Sequence, residues 1–473
     1  MRALLAGMTA AALLPLTAVT ATAATTLSWR ECPGGGGVDG MECATLSVPL
    51  DWANPQGRQV TLMLGRLRAD GPAPSVLVNY GGPGAPGTLM LRDRVASPGQ
   101  QPFDRLRHRM NVVTWDPRGY GTGGLSTPAL DWSCLSQGPM HGIPDLPADQ
   151  AAFDRLVAES RAEEQACRKQ DPELFDHMDT AANVRDMEAI RQALGEPQLN
   201  LYMGSYGGVY GQSYATRFPS RVRTMVLDGT GDHSGNFQRS QEELARDNQV
   251  RMRRFADWCN QNTSCALHGR ATAQVWQEVL TQAPIPAPSV HATFNRWTLQ
   301  QLLAGRLIRS GEQDWGRLAT DIAAASRGDA SGFAVSPEHP YPSIGYPVSE
   351  CREWPRLHSY AELASTVARL DRIDPVSGAA GTMVPSLLTC VGWTGSVDNP
   401  PTPLPTGVPP LLGVGTWGDF PATERVARRV PGSSTIRHDG PGHELYATGN
   451  ACVIGEVDRY FLDRVLPVPG HAC

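Results

Sequence analysis

Lysine is all but missing from this chain: Lys169 is the single one in 473 residues, so arginine supplies nearly all of the 41 basic side chains. Acidic residues number 47, giving a formal net charge of −6, and no block of like charge stands out. That balance excludes the basic faces that nucleic acid selects for, so no nucleic-acid partner is expected. None of the 10 cysteines is spaced C-x-x-C. Nothing therefore suggests a zinc or thioredoxin-type site, and neither a metal nor an organic cofactor is expected. Beyond the N-terminus no apolar run reaches the ~20 residues that cross a bilayer, so no stable membrane insertion is expected. There is no internal repeat.

What is present begins at the N-terminus. Arg2 precedes an apolar run from Ala3 to Val19, broken by Thr9, Pro15 and Thr17, and Ala21-Thr22-Ala23 fits an A-x-A cleavage site. Residues 1–23 read as a secretory signal peptide, and the chain as an exported, extracellular protein. The even cysteine count agrees, because an oxidising compartment favours five bridges. Short gaps suggest neighbour pairing, namely Cys32 with Cys43, Cys134 with Cys167, Cys259 with Cys265, Cys351 with Cys390, and Cys452 with Cys473. Order along the chain leaves that connectivity open.

Strand-like and helix-like patterns alternate, which predicts an α/β fold with a mostly parallel sheet. Gln59–Leu67 puts Val60, Leu62 and Leu64 on one face, as an early antiparallel strand would. Ser75–Tyr80, Asn111–Asp116, Leu199–Met203 and Arg223–Asp228 are short apolar strands of the buried kind. Asp179–Gly195 carries Val184, Met187, Ile190 and Leu194 in one helical stripe and is stopped by Gly195. From about residue 233 to 395 the chain turns helical, without a comparable strand series. The Pro-rich tract Asp398–Pro410 is a stiff connector, after which Leu411–Gly415 and Ser434–Asp439 resume strands. Thr423–Val430 and Val453–Leu466 read as helices. The expected organisation is a core over 24–232, a helical cap over 233–395 and a second core portion over 396–473.

Candidate chemistry starts at Ser205. A strand runs into Gly204-Ser205-Tyr206-Gly207-Gly208 and then a helix, the pattern of a nucleophile elbow, in which small neighbours let the hydroxyl project above the sheet. Met203 stands where that pattern has its first glycine. A larger side chain is acceptable there if it points away from the packed helix. The loop Asn79–Gly87, "NYGGPGAPG", follows a strand and leaves backbone N–H groups open. Gly82 and Tyr206 are its expected oxyanion donors. His443 lies in "DGPGHELY" after the last strand, in the chain order Ser, Asp, His of such hydrolases. Asp419, after the strand Leu411–Gly415, is the expected acid, although it could equally cap the following helix. Asp439 and Glu424 are its rivals.

These stretches, with "CATLSVPLDWANP" (Cys43–Pro55), "DPRGYG" (Asp116–Gly121) and "GSYGGVYGQSYATRFPSRVRTMVLDG" (Gly204–Gly229), make the chain resemble the secreted bacterial tripeptidyl aminopeptidases. They belong to the proline-iminopeptidase-like branch of the α/β-hydrolases. The matches extend over nearly the whole mature chain. Departures are Met203 for the usual glycine, Tyr80 for His or Pro, Gly123 for serine, and Gly418 in the register of the family's aspartate. Asp419 fits that register with one residue inserted upstream. The resemblance implies an α/β-hydrolase fold and an exopeptidase acting on peptide or protein N-termini. It also implies a helical cap whose acidic residues bind the substrate ammonium. Glu350 and Glu353, flanking Cys351, and Asp232 at the cap entrance are the candidates for that role. An esterase with the same triad and an inactive, binding version of the fold remain the alternatives.

Overall fold

The computed structural model describes residues 27–33, 40–96, 102–121, 124–135, 144–309, 312–334 and 346–473. The expected signal peptide and Gly123 lie outside them. Segments such as Ser75–Asn79 are apolar at nearly every position, which suits strands covered on both faces, and all five of its residues are buried.

The strands are β1 (Arg30–Glu31), β2 (Met41–Pro49), β3 (Gln59–Leu67), β4 (Ser75–Asn79), β5 (Asn111–Trp115), β6 (Leu199–Gly204), β7 (Val222–Asp228), β8 (Ile285–Ala287), β9 (Ala292–Phe294), β10 (Leu412–Thr416), β11 (Ser434–His438) and β12 (His471–Ala472). Ten of them form one sheet in the order β1-β2-β3-β5-β4-β6-β7-β10-β11-β12. The β1/β2, β2/β3 and β3/β5 pairs are antiparallel. The β5/β4, β4/β6, β6/β7, β7/β10, β10/β11 and β11/β12 pairs are parallel. The expected α/β fold with a mostly parallel sheet is therefore present.

The chain leaves β4 for β5 on one side and returns to its other side with β6. A crevice opens at the carboxyl ends of strands where order reverses in this way. Both the loop after β4 and the turn after β6 emerge there. One apolar layer packs Met203, Tyr210 and Met225 with the helix Thr180–Ala193. The opposite layer packs Leu91, Tyr202 and Tyr446 with the terminal helix Ala451–Asp463. Arg118 of "DPRGYG" is fully buried and grips Asp186 through Nε and Nη2, while Nη1 donates to the Leu50 carbonyl. That motif is thus a structural pin.

Between β7 and β10 lies a layer of helices, the longest being Phe237–Gln261, with its own apolar cluster around Phe255, Trp276 and Trp315. The β8/β9 hairpin interrupts it. Ile285-Pro286-Ala287 is too short and too broken by proline for its sequence to announce a strand. The layer also recruits the earlier helix Gln150–Arg168, whose Phe153 and Leu156 share a cluster with Trp297, Trp354 and Leu363. The cysteines pair in the five neighbouring couples. Among the described residues no helix is long and apolar enough to cross a membrane.

Candidate active site

Ser205 follows β6 directly and holds φ at +52°, a conformation that costs a non-glycine residue about 1–3 kcal/mol and persists only when its surroundings enforce it. Its N–H donates to the Asp228 carbonyl at 2.9 Å, and the helix Gly207–Arg217 starts two residues later. A Cβ at Gly208 would lie 1.8 Å from Thr230 Oγ1. Met203 does not point away from the packed helix as its size suggested. Its Cγ would be 2.9 Å from a Cβ at Gly211, so the missing side chain at Gly211 makes the room.

Gly81 and Gly82 take φ of +82° and +104° and fold the loop after β4 onto the elbow. A Cβ at Gly81 would meet Tyr206 N at 2.6 Å and Ser205 Cβ at 2.9 Å, so only glycine permits this approach. The Gly81 N–H is taken by Asn79 Oδ1 at 2.8 Å. Among the described residues no main-chain carbonyl takes the N–H of Gly82 or of Tyr206. Both N–H groups are therefore left open, that of Tyr206 directly after the serine and that of Gly82 next to the residue packed against it.

Asp419 occupies the N-cap position of the helix Phe420–Arg428, yet its side chain makes no capping bond. Instead Oδ1 accepts from Thr416 N at 2.7 Å and Thr416 Oγ1 at 3.0 Å, and Oδ2 lies 2.8 Å from His443 Nδ1. An ionised carboxylate only accepts, so Nδ1 donates and Nε2 is left as the basic nitrogen. The rivals are engaged elsewhere: Asp439 pairs with Arg437 and Arg254, and Glu424 with Arg428, all at the surface. A Cβ at Gly229 would be 2.9 Å from His443 Nδ1. The imidazole thus rests on the residue after Asp228, whose carbonyl holds Ser205. Burial opposes the imidazolium, but the Asp419 hydrogen bond and charge outweigh it, and the His443 pKa lies above its usual value.

Beneath the elbow the buried Asp228 carboxylate accepts from Tyr202 Oη at 2.8 Å and from the N–H groups of Leu445 and Tyr446. Burial pushes its pKa up to about 6. Glu444 is buried beside it, with Oε2 3.4 Å from Arg94. Neither residue stood out in the sequence, although "GHELY" contains Glu444 next to the histidine.

Of the expected ammonium ligands, Asp232 is paired through Oδ1 with Arg429 Nη1 at 2.5 Å, while its Oδ2 has no partner among the described residues. Glu353 is fully buried, its Oε2 accepting from Asn399 Nδ2 at 2.6 Å and standing 3.1 Å from His233 Nε2, while Oε1 has no partner. Burial first, and then the Glu353 charge, raise the Glu350 carboxyl to about 7, and among the described residues no cation offsets either effect. The adjacent Ser349 hydrogen-bonds Tyr120, whose ring lies 2.0 Å from a Cβ built at Gly84 in the loop after β4. Burial first, and then the Glu353 charge, also raise the hydroxyl of Tyr206, the residue after Ser205, so that carboxylate lies within electrostatic reach of the elbow.

A parallel sheet that presents a strained serine, an aspartate-held imidazole and open amides at its switch point is the framework of a hydrolase. Residues 74–319 match the model of the alpha/beta hydrolase fold and residues 374–473 that of the TAP-like proteins, and the chain belongs to the α/β-hydrolase family. It is 26% identical over 468 residues to a tripeptidyl aminopeptidase of Streptomyces coelicolor, covering 92% of this chain and 84% of that one. It is 29% identical over 491 residues to carboxylesterase B of Mycobacterium tuberculosis, covering 94% and 89%. It is also 25% identical over 467 residues to the serine protease Hip1 of the same organism, covering 92% and 87%.

Proposed function

We propose that the protein is a secreted serine exopeptidase that releases short peptides, tripeptides first among them, or single amino acids from free N-termini. The observation that carries this reading is the buried Glu353 carboxylate, whose Oε1 has no partner among the described residues, beside a Glu350 carboxyl that desolvation and the Glu353 charge raise to about 7. A desolvated carboxylate is costly until a cation meets it, and a substrate ammonium supplies that cation. The relatives named tripeptidyl aminopeptidase and serine protease support the same class.

In this reading His443 Nε2 takes the Ser205 proton as Oγ attacks the scissile carbonyl. The N–H groups of Gly82 and Tyr206 hold the oxyanion, and protonated His443 hands its proton to the leaving amine. Water, deprotonated by His443, then cleaves the acyl-enzyme. No metal or organic cofactor enters. The helical layer from 233 to 395 acts as the cap that limits access to chain ends.

The relation to carboxylesterase B favours one second reading, an esterase using the same residues. Mass spectrometry of products from matched free and N-acetylated peptides separates the two. The exopeptidase reading expects cleavage of the free peptides near their N-termini and loss of roughly 100-fold or more in rate on acetylation, from losing one buried charge pair. Equal rates on both would defeat it.

A further inference from the structure

Glu444 has features that its neighbourhood does not need for packing alone. Its backbone is held at φ +52°, which turns His443 outward to Asp419 while sending the next side chain inward. The carboxylate is then driven under the elbow, where a Cβ at Gly204 would meet Oε1 at 2.1 Å. Among the described residues Oε1 is buried without a partner, and so is the nearby Tyr80 hydroxyl. Arg94, reaching from the helix Gly87–Ala96, offers a cation at 3.4 Å from Oε2. That helix follows directly from the loop bearing Gly82.

We propose that Glu444 is a positioning residue: paired with Arg94 it ties the His443 turn to the underside of the elbow, and as an anion it favours the protonated imidazole beside it. This rests on the reading of Ser205 and His443 as nucleophile and base. The ionisable groups around Glu444 are Arg94, Tyr80 at the end of β4, Tyr202 on β6, Asp228 on β7, Asp419 after β10 and His443 itself. Burial holds the Glu444 carboxyl at about 7, with His443 and Arg94 pulling it down and the two aspartates pushing it up. Its charge in turn supports the imidazolium. Because the two groups interact, they titrate as a pair. A strained, buried glutamate next to the base thus links three parts of the site: the oxyanion loop, the elbow and the histidine turn.

The test is the pH dependence of Ser205 labelling by a fluorophosphonate, which needs no knowledge of the substrate. For Glu444→Gln, with shape kept and charge lost, the acid limb moves down by roughly one unit while the plateau rate falls about tenfold. Glu444→Asp, shorter but still charged, loses plateau rate and keeps its limb near that of the wild type. Arg94→Gln, which frees Glu444 of its cation and so favours its neutral form, moves the limb in the same direction as Glu444→Gln. A thermal melt of each variant accompanies the measurement. A Glu444→Gln limb that coincides with the wild type, whatever its plateau, overturns the proposal. Should that variant not fold, an unmoved limb in Arg94→Gln overturns it instead. Wild-type protein that is not labelled at Ser205 overturns the nucleophile reading first, and this inference with it.

Discussion

Arg251, on the long helix Phe237–Gln261, donates through Nη2 to the carbonyl of Gly418, the residue just before Asp419. The insertion grips this turn at other points too. The Trp417 and Trp315 rings pack tilted with centroids 4.7 Å apart, the Arg254 guanidinium lies 4.7 Å from the Trp417 ring, and a Cβ at Gly418 would meet the Ile308 carbonyl at 2.4 Å. The acid that orients the imidazole is therefore held partly by the helical layer. Replacing Arg251 with Met keeps the apolar stem but leaves a buried carbonyl unpaired, a loss of about 1–3 kcal/mol. Steady-state kinetics should show kcat reduced roughly tenfold or more with KM nearly unchanged. An unaltered kcat in a destabilised variant would show that the grip does not reach the acid.

Asp419→Asn keeps the shape of the acid but places an amide donor opposite His443 Nδ1, favouring the wrong tautomer. In a working triad that change lowers turnover by roughly 10⁴. Glu424→Gln, a half-buried residue of the next helix that pairs with Arg428 at the surface, should leave kcat/KM within about twofold. Parallel assays of the two variants distinguish a catalytic carboxylate from a charge that merely lies close in sequence. Similar losses in both would remove Asp419 from the triad.

The strands were legible because buried parallel strands leave dense Val, Leu and Met runs, while the alternation of Val60, Leu62 and Leu64 marked the antiparallel strand Gln59–Leu67, which coincides with β3 from end to end. The elbow was legible because its glycines are demanded by named neighbours. Met203 misled because the sequence records which residue departs from a pattern, not that Gly211 opposite has given up its side chain. Asp419 stayed ambiguous for a related reason. An N-cap and a triad acid share the same position after a strand, and only the direction of the carboxylate separates them. The pairing of Asp232 with Arg429 joins residues 197 apart in sequence, so no local signal could reveal it. Glu444 was hidden because nothing in "GHELY" says which of two adjacent side chains turns inward.

Stability should fall between mildly acidic and mildly alkaline pH. Burial raises the carboxyls of Asp228 and Asp458 to about 6 and those of Glu350 and Glu444 to about 7 in the folded chain. Unfolded, such groups titrate near 4, so between about 4 and 7 the native state binds more protons and stability declines as pH rises. His443, raised by Asp419, acts in the same direction, since its contribution is complete below the unfolded value and lost as pH passes the folded one. The lowered Asp171 and Asp439 are ionised in both states above pH 5 and leave the slope unchanged. Thermal melts should therefore give a higher Tm at pH 5.5 than at pH 8, and Glu350→Gln should flatten the difference. A Tm that rises over this interval would contradict the burial of these four groups.

The same Glu350 carboxyl makes a prediction about affinity. With its pKa near 7 in the unliganded protein, Glu350 is largely neutral in mild acid and cannot neutralise a substrate ammonium. As pH rises through 7 it ionises, so KM for a peptide with a free N-terminus should fall. The substrate amine itself loses its proton near 8, so KM should rise again above that value. The tightest binding is thus confined to a narrow interval around pH 7 to 8. Glu350→Gln should raise KM by roughly 10- to 100-fold within that interval and remove its pH dependence on the acid side, with kcat changed much less. An N-acetylated peptide, having no ammonium to offer, should be cut equally slowly by both proteins. A Glu350→Gln variant that keeps the wild-type KM profile would move the recognition of the N-terminus to Glu353 alone.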